Sequence, residues 1–193
     1  MSRQSFSVTV APATEPITVA ELKSQARVDI SDDDDLLGRL ISAARAWVET
    51  NTRRALVTQQ VTIQTSCFPA IDALKLHVIA PLVSVTSVSY YDTDNVDQLL
   101  SSADYIVDSI SEPGAVHLVD GESWPSTAVR PDAVRILCVV GYGAVPEDLK
   151  HAVHLMAAHF YEHREGVVIG TTPSSVPFTV DALIGPYLRP EFH

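Results

Sequence analysis

Apolar spacing divides the chain into a helical opening, a strand-rich middle and a helical close. Thr18 and Glu21 stand at capping-box spacing just after Pro16, and they predict a first helix running to about Val28. Val19, Leu22 and Ala26 share one face of it, and Asp29 and Ser31 interrupt it. Ser31 is placed to cap a second, longer helix, with Asp32, Asp33, Asp34 and Asp35 crowded at the positive end of its dipole. Leu36, Leu37, Leu40, Ile41, Ala44, Trp47 and Val48 recur at steps of three and four and predict its buried stripe. Arg39, Arg45 and Glu49 fall on the other side, and Arg53 and Arg54 close the helix.

The period then changes to two. Val57, Gln59, Val61 and Ile63 alternate with Thr58, Gln60, Thr62 and Gln64. Further β-rich runs follow at 74–78, 83–91, 105–107, 115–119 and 134–142, punctuated by Pro69, Pro81, Pro113, Gly114, Gly121, Pro125 and Pro131. They amount to about six or seven short strands. Pro146, Glu147 and Asp148 open a third long helix, with Leu149, Ala152, Val153, Met156, Ala157, Phe160 and Tyr161 as its stripe. A polar loop at 170–177 leads to a short amphipathic segment carrying Val180, Leu183, Ile184 and Tyr187. The expected class is α+β, with an antiparallel β lobe between helical segments. The expected organisation is an N-terminal arm with two helices over 1–56, the lobe over 57–143, a third long helix over 144–169, and a linker with a C-terminal segment over 170–193.

The chain has 193 residues, of which 46% are hydrophobic and 19% charged, so it can bury a real core. Thirteen basic against 24 acidic residues leave a net charge of −11. That excludes a free-standing nucleic-acid binder, whose footprint would be basic, and argues against docking on anionic membranes. No export signal and no membrane-spanning run of roughly 18 apolar residues is expected. Cys67 and Cys138 lie far apart without CxxC spacing and read as buried free thiols.

The HxxEH run His159-Phe160-Tyr161-Glu162-His163 has the spacing of an inverted zinc-protease helix, since histidines at i and i+4 share a face. A third ligand would have to come from the short tail, which offers Asp181 and Glu191. A small zinc-dependent hydrolase using His159, Glu162 and His163 is therefore the alternative to a non-enzyme, with a solvated helix face as the plain explanation. A third reading is a protein-binding module of a larger complex. Adjacent aspartates at 32–35 radiate from a helix and do not converge on one ion. No cofactor is expected.

The order of several segments resembles phage head–tail connector proteins, also called adaptors and described as possible DNA-packaging proteins. The segments are Thr14–Lys23 with the acidic 32–35, Ile41–Glu49, Thr52–Leu56, Pro81–Val85, Tyr105–Asp108, Trp124-Pro125, Val139–Gly143, Ala158–Glu165 and Leu183–Arg189. The resemblance covers nearly the whole chain and implies a small α-helical bundle with the β lobe inserted between its second and third long helices, and a C-terminal docking segment over 170–193. It implies a homo-oligomeric ring of about twelve subunits below the portal protein at the neck of a phage, or of a phage-derived gene transfer agent, assembled in the host cytoplasm. The ring would join the portal to a tail or head-completion (stopper) protein, and DNA would pass through it without specific binding. Within that frame Phe178, Leu183, Ile184, Tyr187 and Arg189 are candidates for portal or subunit contacts, unless they pack on their own subunit. Asp32, Asp33, Asp34 and Asp35 are candidates for a channel-facing surface, although dipole complementation alone accounts for them.

Overall fold

A computed structural model describes residues 4–27, 29, 31–70, 73–163 and 178–188. It divides into two compact units, Met1–Ala13 with Thr58–Gly143 and Thr14–Val57 with Ala144–His193. Helices in one unit and antiparallel sheets in the other give the expected α+β class, with seven of the strands lying between the second and third helices in chain order.

The β unit holds a five-stranded sheet of order β1-β2-β8-β4-β5 and a three-stranded sheet of order β3-β7-β6. The first comprises β1 (Ser5–Val10), β2 (Gln59–Thr65), β4 (Leu82–Tyr91), β5 (Asp97–Leu99) and β8 (Val134–Val140). The second comprises β3 (Ala73–Lys75), β6 (Tyr105–Asp108) and β7 (Ala115–Leu118). β2 and β8 alternate strictly between buried and half-buried, so the period-two pattern sends Val61 and Ile63 of β2, with Val134, Ile136, Cys138 and Val140 of β8, into the core. Gly114, just before β7, sits so close to β4 that a Cβ there would come within 2.7 Å of Leu82. Phe68 stacks on Trp124 at 4.6 Å and meets Tyr90 edge-on at 5.8 Å.

The N-terminal arm differs from expectation. Grouped with the helices by sequence, Ser5–Val10 instead pairs antiparallel with β2, Phe6 against Ile63 and Val8 against Val61. The reason lies in its composition, since SFSVTV alternates at period two and is rich in β-formers. Gln4 anchors its start, donating from Nε2 to the Lys75 carbonyl at 2.7 Å and accepting from the His77 N–H at 3.0 Å.

In the helical unit, α1 (Val19–Ala26) has the expected capping box at Thr18 and Glu21, and Arg27 ends it in a left-handed conformation. α2 (Asp34–Thr52) packs along α3 (Glu147–Glu162). Its N-cap is Asp33 rather than Ser31, whose carbonyl instead accepts from the Asp34 N–H at 3.1 Å. The buried stripe is Leu37, Ile41, Ala44, Val48 and Thr52, facing a unit whose α3 buries Leu149, Ala152, Val153, Met156 and Ala157. Leu40, Trp47 and Phe160, expected in the seam, are only half-buried. The buried leucine, isoleucine, valine, methionine and alanine side chains already fill the seam, and Leu40, Trp47 and Phe160 stand at its rim. Cys138 is buried as expected, but Cys67 is exposed, because it stands in the turn after β2 rather than within the strand.

Ile41→Ala should cost about 2–5 kcal/mol by denaturant unfolding, because it leaves a cavity in the α2–α3 seam. Trp47→Ala at the rim should cost less than Ile41→Ala in the same measurement.

Candidate functional site

The acidic run at the head of α2 is partly consumed by packing. Asp34 pairs with Lys23 of α1 at 2.8 Å, and Asp33 accepts from the Tyr161 hydroxyl of α3 at 2.7 Å. These contacts draw α1 and α3 onto the start of α2. Asp32 and Asp35 remain exposed beside them.

The C-terminal segment forms α4 (Phe178–Ile184), followed by a single 3-10 turn at Gly185–Tyr187. α4 packs on α3 with Val180 and Ile184 buried, so Ile184 is a core residue of its own unit. Leu183 and Tyr187 are half-buried and Leu188 is exposed. Arg54 holds the turn, donating from Nε to the Tyr187 carbonyl at 3.1 Å with its guanidinium 5.8 Å from the Tyr187 ring centre. The Phe178 side chain and Arg189 lie outside the described residues, as does the loop expected at 170–177.

A charged network that sequence reasoning missed fixes both ends of this unit's entry. Arg45 donates to Glu15 and to Glu49, each at 2.7 Å, and Ser42 donates to Glu15 at 2.7 Å. The second oxygen of Glu49 accepts from the Leu56 N–H at 2.8 Å. Arg45 and Glu49 were expected on a solvated face but are largely covered. Burial pushes the Glu49 carboxyl above its ordinary range, against the Leu56 N–H and Arg45 that favour its charge. Burial also opposes the charge on Arg45, yet Glu15 and Glu49 hold its pKa above the usual value. The i, i+4 spacing of Arg45 and Glu49 was the available signal.

The HxxEH residues sit at the end of α3. The rings of His159 and His163 lie 4.4 Å apart, and His163 Nδ1 lies 3.0 Å from the His159 carbonyl. Among the described residues no three His, Cys, Asp or Glu side chains are placed to share an ion. Burial lowers the pKa of His159, with His163 adding repulsion. Cys138, inside the sheet, is pushed up to about 12 by burial and is no nucleophile.

His154 has a different setting. It lies on α3, which packs against α1, with a buried Nδ1 that has no hydrogen-bond partner among the described residues. Burial lowers its pKa, and His151 lowers it further, while Glu21 and Glu147 act in the opposite direction. The unfolded chain therefore takes up this proton first as pH falls, so the stability His154 allows is full above about pH 6.5 and declines below it. His154→Gln should flatten the fall in Tm between about pH 7.5 and about pH 5.5, read by thermal unfolding.

Residues 16–110 match the family of phage gp6-like head–tail connector proteins. No curated protein matches the sequence. Among solved structures, the fold is similar to a chain from the virion of a native gene transfer agent (GTA) particle, with a TM-score of 0.76 and 24% identity over 97% of each chain. It is also similar to a chain from the neck of an empty GTA particle computed with C6 symmetry, with a TM-score of 0.74 and 23% identity over 98% of this chain and 97% of that one. A chain from the neck of the native particle computed with C12 symmetry gives a TM-score of 0.68 and 22% identity over 96% and 97%. The match takes in the acidic head of α2, Arg45 and Glu49, and strands β2 to β6, and over these residues the chain is similar to the phage gp6-like head–tail connector family.

Proposed function

We propose that this protein is a structural subunit of the neck of a tailed phage or phage-like particle, assembling as a ring below the portal and joining head to tail. The observation that carries the reading is the agreement of two independent likenesses. One is the sequence match to head–tail connectors, and the other is an end-to-end fold match to chains from particle necks. In this role the protein extends the DNA channel, contacts a portal on one side and a tail or stopper protein on the other, and does no catalysis. The alternative hydrolase has no comparable support, since neither the family match nor the fold likenesses point to an enzyme.

The C-terminal segment from Ser174 to His193 is the portal-docking arm in this reading. α4 is anchored through Val180 and Ile184, so docking falls to side chains left outside, Leu183 and Leu188, with Arg189 supplying a cation for an acidic partner surface. Removing the whole arm would uncover the α3 face and confuse docking with folding. The double variant Leu183→Asp, Leu188→Asp should instead keep a near-native Tm. Particles assembled with wild-type protein should carry the chain as a ring at the neck, while the variant should accumulate heads without tails in electron micrographs. Normal particles from the variant would place the arm elsewhere, and absence of the wild-type chain from the neck would end the connector reading.

The exposed Asp32 and Asp35 belong to the wall facing DNA, where negative charge repels phosphate and keeps the duplex sliding. Asp33 and Asp34 act mainly in packing through Tyr161 and Lys23. Asp32→Lys with Asp35→Lys should leave the ring intact and slow DNA ejection, more so at low salt, because every lysine copy adds a phosphate contact. Ejection at the wild-type rate would remove these residues from the channel.

A further inference from the structure

Among the described residues the five-stranded sheet ends in two open strands of different character. β5 is three residues long, and its Asp97 is paired with Arg135. β1 is six residues long, exposed along its whole length, and carries neither charge nor proline, the devices that normally blunt an edge. Its register shift comes only between Val8 and Val10, which leaves Ser5–Val8 regular. Phe6 and Val8 are 44% and 50% exposed, although they stand in register with Ile63 and Val61, which are fully buried. The apolar face of the sheet thus runs on to β1 after its cover has ended.

We propose that β1 is the site of subunit–subunit contact, pairing edge to edge with β5 of a second copy of this chain. The inference rests on the ring reading above. Two features of the chain select a second copy. First, copies that each carry −11 repel, so they meet most readily where acidic charge is absent or already paired; the β1 edge has no acidic side chain, and the one acid of β5, Asp97, is paired with Arg135. Second, every neighbouring pair in the five-stranded sheet is antiparallel, so β1 and β5 at its two ends point the same way. A sheet continued from β1 of one copy to β5 of the next, as a parallel pair, repeats the same orientation at every step. That is the head-to-tail geometry a closed ring requires, whereas β1 against β1 would give a two-fold dimer. Main-chain hydrogen bonds would supply the contact, as in strand addition generally.

Pairings across the sheet put Leu99 on the same face as Ser5, and Ser7 lies two residues along that face. The full-length protein carrying Cys67→Ser, Ser7→Cys and Leu99→Cys, treated with a short thiol cross-linker, should give a ladder of covalent multimers on denaturing gels. With Ser7→Cys alone, no dimer should form. Val8→Lys should keep the wild-type circular dichroism spectrum and a cooperative unfolding transition yet shift the mass in solution from ring to monomer. Hydrogen exchange of the 4–11 peptide should be slower in the wild-type ring than in that monomer. An intact ring without the ladder, or covalent dimers from Ser7→Cys alone, would overturn the β1–β5 pairing while leaving the ring reading standing. A wild-type chain that forms no ring, alone or in particles, would overturn both.

Discussion

The structure depends on one pairing, that of β2 with β8. These are the first and last strands of the insertion, and Gln59 lies opposite Val140, so the chain leaves and re-enters the helical unit at neighbouring points. Thr58 extends the closure with a hydroxyl bond to the Tyr142 carbonyl. Without that clamp, α2 and α3 would be the ends of a long loop, and bringing them together would carry its closure entropy. With it, the loop is closed by the sheet, and Leu37, Ile41, Ala44 and Val48 can form a seam with α3.

The helical unit shows how polar contacts position an apolar core. The seam between α2 and α3 is non-directional, and it does not by itself fix where the helices start. The Asp33–Tyr161 and Lys23–Asp34 bonds set that position at one end of α2. At the other end Glu49 receives the Leu56 N–H and turns the chain out of the helix. Isolated surface pairs contribute little, but the Glu15–Arg45–Glu49 group is largely covered and mutually satisfied, so losing one member strands the others.

Much of this was legible in the sequence. The capping box at Thr18, the apolar steps of α2 and α3, and the alternation in β2 and β8 each follow from local chemistry, and they gave the class and the order of elements. What was not legible depends on distant partners. The alternation of Ser5–Val10 was present, but nothing local says that its partner lies more than 50 residues away in β2. The division of the strands between two sheets is likewise a matter of pairing, not of propensity. At the candidate surfaces, residue type marked α4 as an apolar segment. Only the fold separates Ile184, turned to α3, from Leu183, left half-exposed on the adjoining position.

The position of β8 also bears on how the chain is made. It is the last strand of the insertion in sequence but the central one in the sheet, between β2 and β4. While the chain is being synthesised from its N-terminus, β1, β2 and β4 emerge before the strand that joins them, and α2 waits for α3 beyond it. Long-range pairing of this kind is slow and leaves edges open until it is complete. Closure is therefore a late event that requires the chain past Val140. A product cut short before that point lacks the central strand of its sheet and the helix that packs along α2, so neither unit can close its core.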